Sequence, residues 1–242
     1  MNISSSWEYK EIQIGKDYNT LEEVEAYDAR HGTFRNIDEE NDKIVKLLRL
    51  APEQSVIDIG TGTGAFALRA ARSCAMVYAI DISSVMLEYA ARKSRALGVK
   101  NIVFCHAGFL TYRHTAAPVD AIVTSTAMHH LPDFWKGIAL HRINNMMKTG
   151  GHLFLSDVIF SPDNTYENIE KWISKLEQIG GSSLRQDVEA HISKEYSTFD
   201  WVMDGLLERA GFCIVERAIE EGVVGKYLCR KDRGTHNPYK AL

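Results

Sequence analysis

From Ser55 onward, short apolar runs alternate with longer segments in which apolar positions recur every three or four residues. That alternation predicts strands of a parallel sheet joined by crossover helices. The strands read as 55–59, 76–80, 101–105, 119–124 and 152–159, with helices over 65–73 and 84–97 between them. Ser83 or Ser84 serves as N-cap of the second helix and Gly98 as its stop. A third helix opens at Pro132 and Asp133 and carries Trp135, Ile138, Ala139, Ile143, Met146 and Met147 at helical spacing before Gly150 and Gly151 turn the chain into the fifth strand. The pattern then changes. Residues 161–198 hold no good strand but two helices, 164–179 and 184–194, separated by Gly180 and Gly181. A helix over 199–210 and strands over 213–217 and 223–229 follow. The five residues between those strands are too few for a crossover helix, so the strands pair antiparallel. Ahead of the sheet, 21–29 and 41–50 read as helices. The chain is therefore expected to be one α/β domain in four parts: an N-terminal helical cap (1–50), a core (51–160 and 199–232), a helical insertion (161–198) and a tail (233–242).

Composition changes this picture little. With 45% hydrophobic and 25% charged residues in 242, the chain is neither disordered nor repetitive, and it is long enough for a sizeable core. A net charge of −4 disfavours a long phosphate-binding surface. Cys74, Cys105, Cys213 and Cys229 form no CxxC and sit in or beside apolar stretches, which suits buried free thiols in a reducing compartment. The first eleven residues are polar, with no apolar signal core, and no run reaches about 18 apolar residues. A cytoplasmic protein without membrane association is expected.

The strongest chemical signal is Asp58-Ile59-Gly60-Thr61-Gly62-Thr63-Gly64 at the carboxyl end of the first strand. Glycines there allow a tight turn and let backbone approach a ligand. Gly60, Gly62 and Ala65 also fit the G-x-G-x-x-A of nicotinamide-dependent dehydrogenases, and Asp81 at the end of the second strand suits ribose hydroxyls in either case. Asp58 two residues before the first glycine, the helical segment before the first strand and the closing hairpin separate the two readings.

At these features the sequence resembles the class I S-adenosylmethionine-dependent methyltransferases, most nearly the small-molecule type of ubiquinone and menaquinone biosynthesis. VIDIGTGTGAFALRAA resembles the family's first motif, AIDIS its second, VDAIVTSTAMHHLPD its fourth and MMKTGGHLFLSDV its fifth. LLERAGF-CIVE resembles the helix and strand before the closing hairpin, so the likeness covers about residues 20–230. It implies a Rossmann-like seven-stranded sheet, its last inserted strand antiparallel, with helices on both faces and S-adenosyl-L-methionine across the carboxyl ends of the strands. By the same resemblance, Asp58 and the backbone at Gly60, Thr61 and Gly62 hold the methionine part, Asp81 takes the ribose hydroxyls and Ile82 packs on adenine. Met86, Gly108, Phe109 and Thr124 complete the implied cofactor set, with Tyr27 reaching over it from the N-terminal cap. The family often carries an acid for the adenine amino group where this chain has Gly108. A backbone contact at Phe109, or His106, is the expected substitute.

Methyl transfer is an in-line displacement that needs alignment, exclusion of water and removal of a proton where the nucleophile carries one. His129, near the carboxyl end of the fourth strand, is the expected general base, with His130 structural. Asp157 is a second candidate base or a partner for backbone. The chain lacks the Asn/Asp-Pro-Pro-Tyr run of nucleobase amino-methyltransferases. Arg35 is a candidate contact for the cofactor or an anionic substrate. Asp187, His191 and Glu195 stand four apart, a spacing that suits a metal but far more commonly a solvated helix face, and no metal is expected. The insertion, with Trp172 and Ile173, reads as a lid. The expected function is methylation of an O, N or C nucleophile on a small organic molecule, with a homodimer compatible with the added helices. The alternatives are an RNA or protein methyltransferase and a noncatalytic binding module. The basic tail after Arg230 reads as a disordered end.

Overall fold

A computed structural model describes residues 7–12, 20–33 and 35–232. The basic tail falls outside them. Two helices, α1 (Leu21–His31) and α2 (Ile37–Leu47), precede β1 (Ser55–Ile59). The chain continues through α3 (Ala65–Ala70), β2 (Met76–Asp81), α4 (Ser84–Ala96), β3 (Ile102–His106) and β4 (Val119–Ser125). A single 3-10 turn (Met128–His130) leads to α5 (Asp133–Met146) and β5 (Met147–Phe160). After α6 (Thr165–Lys194) come β6 (Thr198–Phe199), α7 (Asp200–Arg209), β7 (Phe212–Glu220) and β8 (Val224–Lys231).

Seven strands lie in the order β3-β2-β1-β4-β5-β8-β7, and the two-residue β6 adds to the end of β5. The first five of these are parallel, while β8 runs antiparallel between β5 and β7. This is the expected sheet. Its central strands are dominantly apolar, interrupted at Asp58 and Asp120, because both faces are covered. Along β1, Ile57 and Ile59 pack under α5 and α7 with Leu140, Ile143 and Leu207, while Val56 faces α2 and α3 with Ile44, Phe66 and Ala70. Each such buried side chain stabilises the fold by about 1.5–3 kcal/mol.

Local chemistry sets the ends of these elements. The N–H of Met86 donates to Ser83 Oγ (3.2 Å), so Ser83 is the N-cap of α4, and Gly98 follows its last turn at φ 67°. At the β7–β8 hairpin Glu221 and Gly222 both have positive φ (52° and 72°), the primed turn that matches strand twist.

Several boundaries differ from those expected. Strand five begins at Met147 instead of 152, because Met147 pairs with Val119 before the Gly150 irregularity, so Met147 leaves the helix. Helix α3 stops at Ala70 and α2 starts at Ile37, where Asn36 accepts from the Glu39 N–H (3.2 Å). The two insertion helices join as α6, broken at Gly181 (φ 67°, ψ −159°), and its two arms pack through Ile173, Leu176, Leu184 and Val188. Cys213, expected buried, is exposed on the outermost strand; Cys74 and Cys229 are buried and all four thiols are free.

Candidate active site

At the carboxyl ends of β1, β2 and β4, where the strand order reverses, lies a cavity of about 1050 Å³. Gly60 (φ 79°) and Gly62 (φ 54°) form part of its wall, and a Cβ on Gly60 would stand 2.4 Å from the Ala127 Cβ. Glycine at 60 thus lets the turn after β1 meet the turn after β4. Asp81 closes the adjoining corner: Oδ2 accepts from the Gly62 N–H (2.8 Å) and Oδ1 from the Ser83 N–H (2.8 Å). Burial raises the Asp81 pKa, although those N–H donors oppose the rise. Asp58 lies behind the wall, where its Oδ2 accepts from the Thr61 hydroxyl (2.6 Å) and burial pushes it up to about 7.

From the cap, α1 is tied across the glycine loop. The Thr63 hydroxyl (2.5 Å) and Lys93 Nζ (2.7 Å) both donate to Asp28, which brings Tyr27 to the cavity. Arg35 also reaches the cavity, but its guanidinium pairs with Glu40 (2.5 Å).

Beyond the turn after β4 that meets Gly60 is a buried polar cluster. His129 Nδ1 meets Asp157 Oδ1 (2.5 Å) and Nε2 meets Glu195 Oε2 (3.2 Å). Asp157 also accepts from the N–H groups of Met128 (2.8 Å), His129 (3.1 Å) and Val158 (2.8 Å). Burial lowers the His129 pKa, yet the Asp157 and Glu195 carboxylates outweigh it and hold the ring above the ordinary histidine value. Burial, helped by the charge of His129, drives His130 down to about 4. The Tyr196 N–H donates to the His129 carbonyl (2.8 Å), which fastens the end of α6 to the 3-10 turn.

A family model described as a methyltransferase domain matches residues 50–208. The chain belongs to the methyltransferase domain family. It is a class I S-adenosylmethionine-dependent methyltransferase, and the dehydrogenase reading of the glycine loop falls away. Among its relatives, an uncharacterized methyltransferase of Geobacillus kaustophilus is 27% identical, over 78% of this chain and 81% of the relative. Among solved structures, the YcgJ protein of Bacillus subtilis superposes with a TM-score of 0.63 at 15% identity, over 81% of this chain and 99% of that one. Magnesium protoporphyrin IX methyltransferase from Synechocystis, crystallised with S-adenosylmethionine, gives 0.56 at 16%, over 90% and 86%. At such identities the structures share the fold. No helix among the described residues is long and apolar enough to cross a membrane.

In this methyltransferase, Tyr27, Gly60, Gly62, Asp81, Ile82, Met86, Gly108 and Phe109 line one cavity, which His129 and His130 also border. Asp58, Thr61 and Thr124 are buried and do not contribute to its lining. The two substitutes expected for adenine recognition are engaged elsewhere. His106 Nε2 meets the Ile82 carbonyl (2.8 Å), and the Phe109 N–H donates to Glu11 Oε1 (2.6 Å). Glu11 also accepts from Leu110 (2.9 Å), and its carboxylate carbon lies 2.5 Å from where a Cβ on Gly108 would stand. Glu11 of the N-terminal segment thus places a carboxylate beside Gly108. Glu11 went unseen as a site residue and Glu195 was weighed only with Asp187 and His191, because each belongs to a segment remote in sequence from the residues it meets. The only advance signals were the absent acid at Gly108 and the His191–Glu195 spacing.

Proposed function

We propose that this methyltransferase transfers the methyl group of S-adenosyl-L-methionine to an O, N or C nucleophile of a small organic molecule enclosed beneath α6. The observation that carries this reading is the cavity wall formed by α6. There Trp172, Leu176, Ile179, Leu184 and Val188 of α6 line the cavity beside Lys175, Asp187, His191 and Lys194, an apolar patch edged by charges of both signs rather than a basic groove.

The cofactor fits the residues present. The Gly60–Gly62 turn offers backbone without a Cβ in the way, Asp81 faces the same cavity with lone pairs to spare, and Ile82 and Met86 give it an apolar floor. Asp58, pushed above the usual carboxylate range by burial, supports the loop from behind through the Thr61 hydroxyl. When bound, the cofactor supplies a methyl group already activated on a sulfonium. The chain's own work is to hold the acceptor, keep water out under α6 and receive or route a proton. His129 is the group we assign to that last task. With Nε2 against Glu195, it takes a proton only as Glu195 moves aside or serves as the onward acceptor.

Glu11 takes the part of the adenine-side acid. Replacing it with alanine leaves the Phe109 and Leu110 N–H groups without their carboxylate and is expected to weaken S-adenosylhomocysteine binding by about 1–3 kcal/mol in calorimetric titration. Unaltered affinity would remove Glu11 from the cofactor site.

The acceptor class is tested by incubating the protein with methyl-tritiated S-adenosyl-L-methionine and a cell extract separated into low-mass, RNA and protein fractions. Label in the low-mass fraction is the expected result. Label confined to RNA or protein would overturn the small-molecule reading. Calorimetric titration with S-adenosylhomocysteine, with NADH as control, checks the cofactor independently.

A further inference from the structure

The polar cluster beyond the turn after β4 holds more ligating atoms than proton handling needs. One ligand atom from each of His129, His130 and Glu195 lies within 4.8 Å of the others. His129 Nε2 and Glu195 Oε2 are 3.2 Å apart, against about 3.3 Å for two ligands held at about 2.0–2.1 Å by one tetrahedral ion. We propose that His129, His130 and Glu195 bind a divalent transition-metal ion on the acceptor side of the cavity.

Three features support a built site. The first is the support behind His129, whose Nδ1 is held by Asp157 (2.5 Å), itself fixed by three backbone N–H groups. A carboxylate on the far nitrogen is what orients a metal-bound imidazole and leaves Nε2 as the ligand. The second is the support around Glu195. Its carboxylate contacts His191 Nδ1, whose Nε2 is in turn anchored to Ser197 Oγ (2.8 Å), and the next residue, Tyr196, is bonded to the His129 carbonyl (2.8 Å). The third is that His130 Nδ1 is buried with no hydrogen-bond partner in the structure, an expensive arrangement for a polar atom unless a ligand satisfies it.

Two imidazoles and one carboxylate are the ligand set of catalytic zinc and of non-haem iron(II), and they leave coordination positions free. All three residues line the cavity, so an ion held by them would be reachable from it. The spacing of Asp187, His191 and Glu195 along α6 is therefore not the ligand set; only Glu195 of the three belongs to it.

The role of the ion rests on the proposed methyl transfer; its binding does not. With Nε2 on the ion, His129 would no longer take the proton; the ion would replace it in that task, because an acceptor X–H placed on it through its heteroatom would lose its proton more readily, by way of a solvent molecule. The lone pair on X then forms the bond to the methyl carbon, and the carbon–sulfur bond breaks with both electrons going to sulfur. The products are X–CH3, S-adenosylhomocysteine and the released proton. The acceptor class this selects is one bearing a thiol, hydroxyl or amine that ligates a metal.

The test is titration of the untagged, chelator-treated full chain with Co2+, followed by its visible absorption, and competition by Zn2+. One equivalent of Co2+ with ligand-field bands, displaced by Zn2+, is the expected result. His130→Ala and Glu195→Gln should each lower the affinity by about tenfold or more. S-adenosylhomocysteine calorimetry on the same samples reports whether each variant is folded, and should Glu195→Gln fail, His130→Ala decides alone. Failure of the wild-type chain to take up Co2+ while it still binds S-adenosylhomocysteine would leave a proton-held ion pair and overturn the inference. Undiminished uptake in both variants would overturn it as well. Metal uptake without S-adenosylhomocysteine binding would instead count against the methyl-transfer reading and spare the site.

Discussion

Replacing Asp81 with alanine is expected to weaken S-adenosyl-L-methionine binding by about 1.5–3 kcal/mol, roughly ten- to hundredfold in Kd. Asp81 ends β2, and its carboxylate does two things at once. It accepts from the Gly62 and Ser83 N–H groups (both 2.8 Å), fixing the glycine turn against the start of α4. The same carboxylate is exposed to the cavity, where its remaining lone pairs suit the two hydroxyls of a ribose. Burial already disfavours its charged form, so hydroxyl donors that stabilise the charge contribute more here than they would at the surface. Calorimetric titration of Asp81→Ala and Asp81→Asn checks this. The asparagine variant keeps one acceptor oxygen and should fall between the alanine variant and the wild type. Affinity equal to wild type in the alanine variant would refute the ribose assignment.

The largest effect on stability is expected at Asp157. Its removal in Asp157→Ala leaves the N–H groups of Met128, His129 and Val158 unpaired and His129 without its buried partner. Loss of one member of such a pair costs about 3–5 kcal/mol. Burial alone would raise the Asp157 pKa, but the charge of His129 and its hydrogen bond hold the group down at about 2. A carboxyl depressed in this way contributes stability that is fully present above its unfolded pKa, about 4. That contribution disappears as pH falls through about 2. Urea unfolding of the wild type and Asp157→Ala at several pH values should therefore show a gap that is largest between about pH 5 and the raised His129 pKa, narrows in acid as Asp157 is protonated and narrows again at higher pH as His129 loses its proton. Superimposable curves at neutral pH would show that the carboxylate holds nothing.

Much of this molecule was legible along the chain. The crossover strands could be read because a strand covered on both faces is dominantly apolar, as 55–59 and 119–124 are apart from Ser55, Asp58, Asp120 and Thr124. The antiparallel β8 followed from a connection too short to cross the sheet. Asp81 and the Gly60–Gly62 turn were readable because cofactor binding at a strand end needs those residue types within one short segment. The errors lie where local signals are weak or partners decide. Met147 fits a helical stripe equally well, and its pairing with Val119 put it in a strand. Cys213 sits in an apolar run, yet β7 is the edge of the sheet and only one of its faces is covered.

The residues themselves determined an α/β sheet closing in an antiparallel pair and a glycine turn with acids on either side, because periodicity, spacing and turn chemistry act between near neighbours; the insertion of the last strand was implied by the family resemblance. Tertiary structure alone decided that Glu11 stands beside Gly108 and that Glu195 meets His129. Those pairs come from segments widely separated in sequence. Their approach is set by the packing of the cap and of α6 onto the sheet, which leaves no periodic trace in either segment.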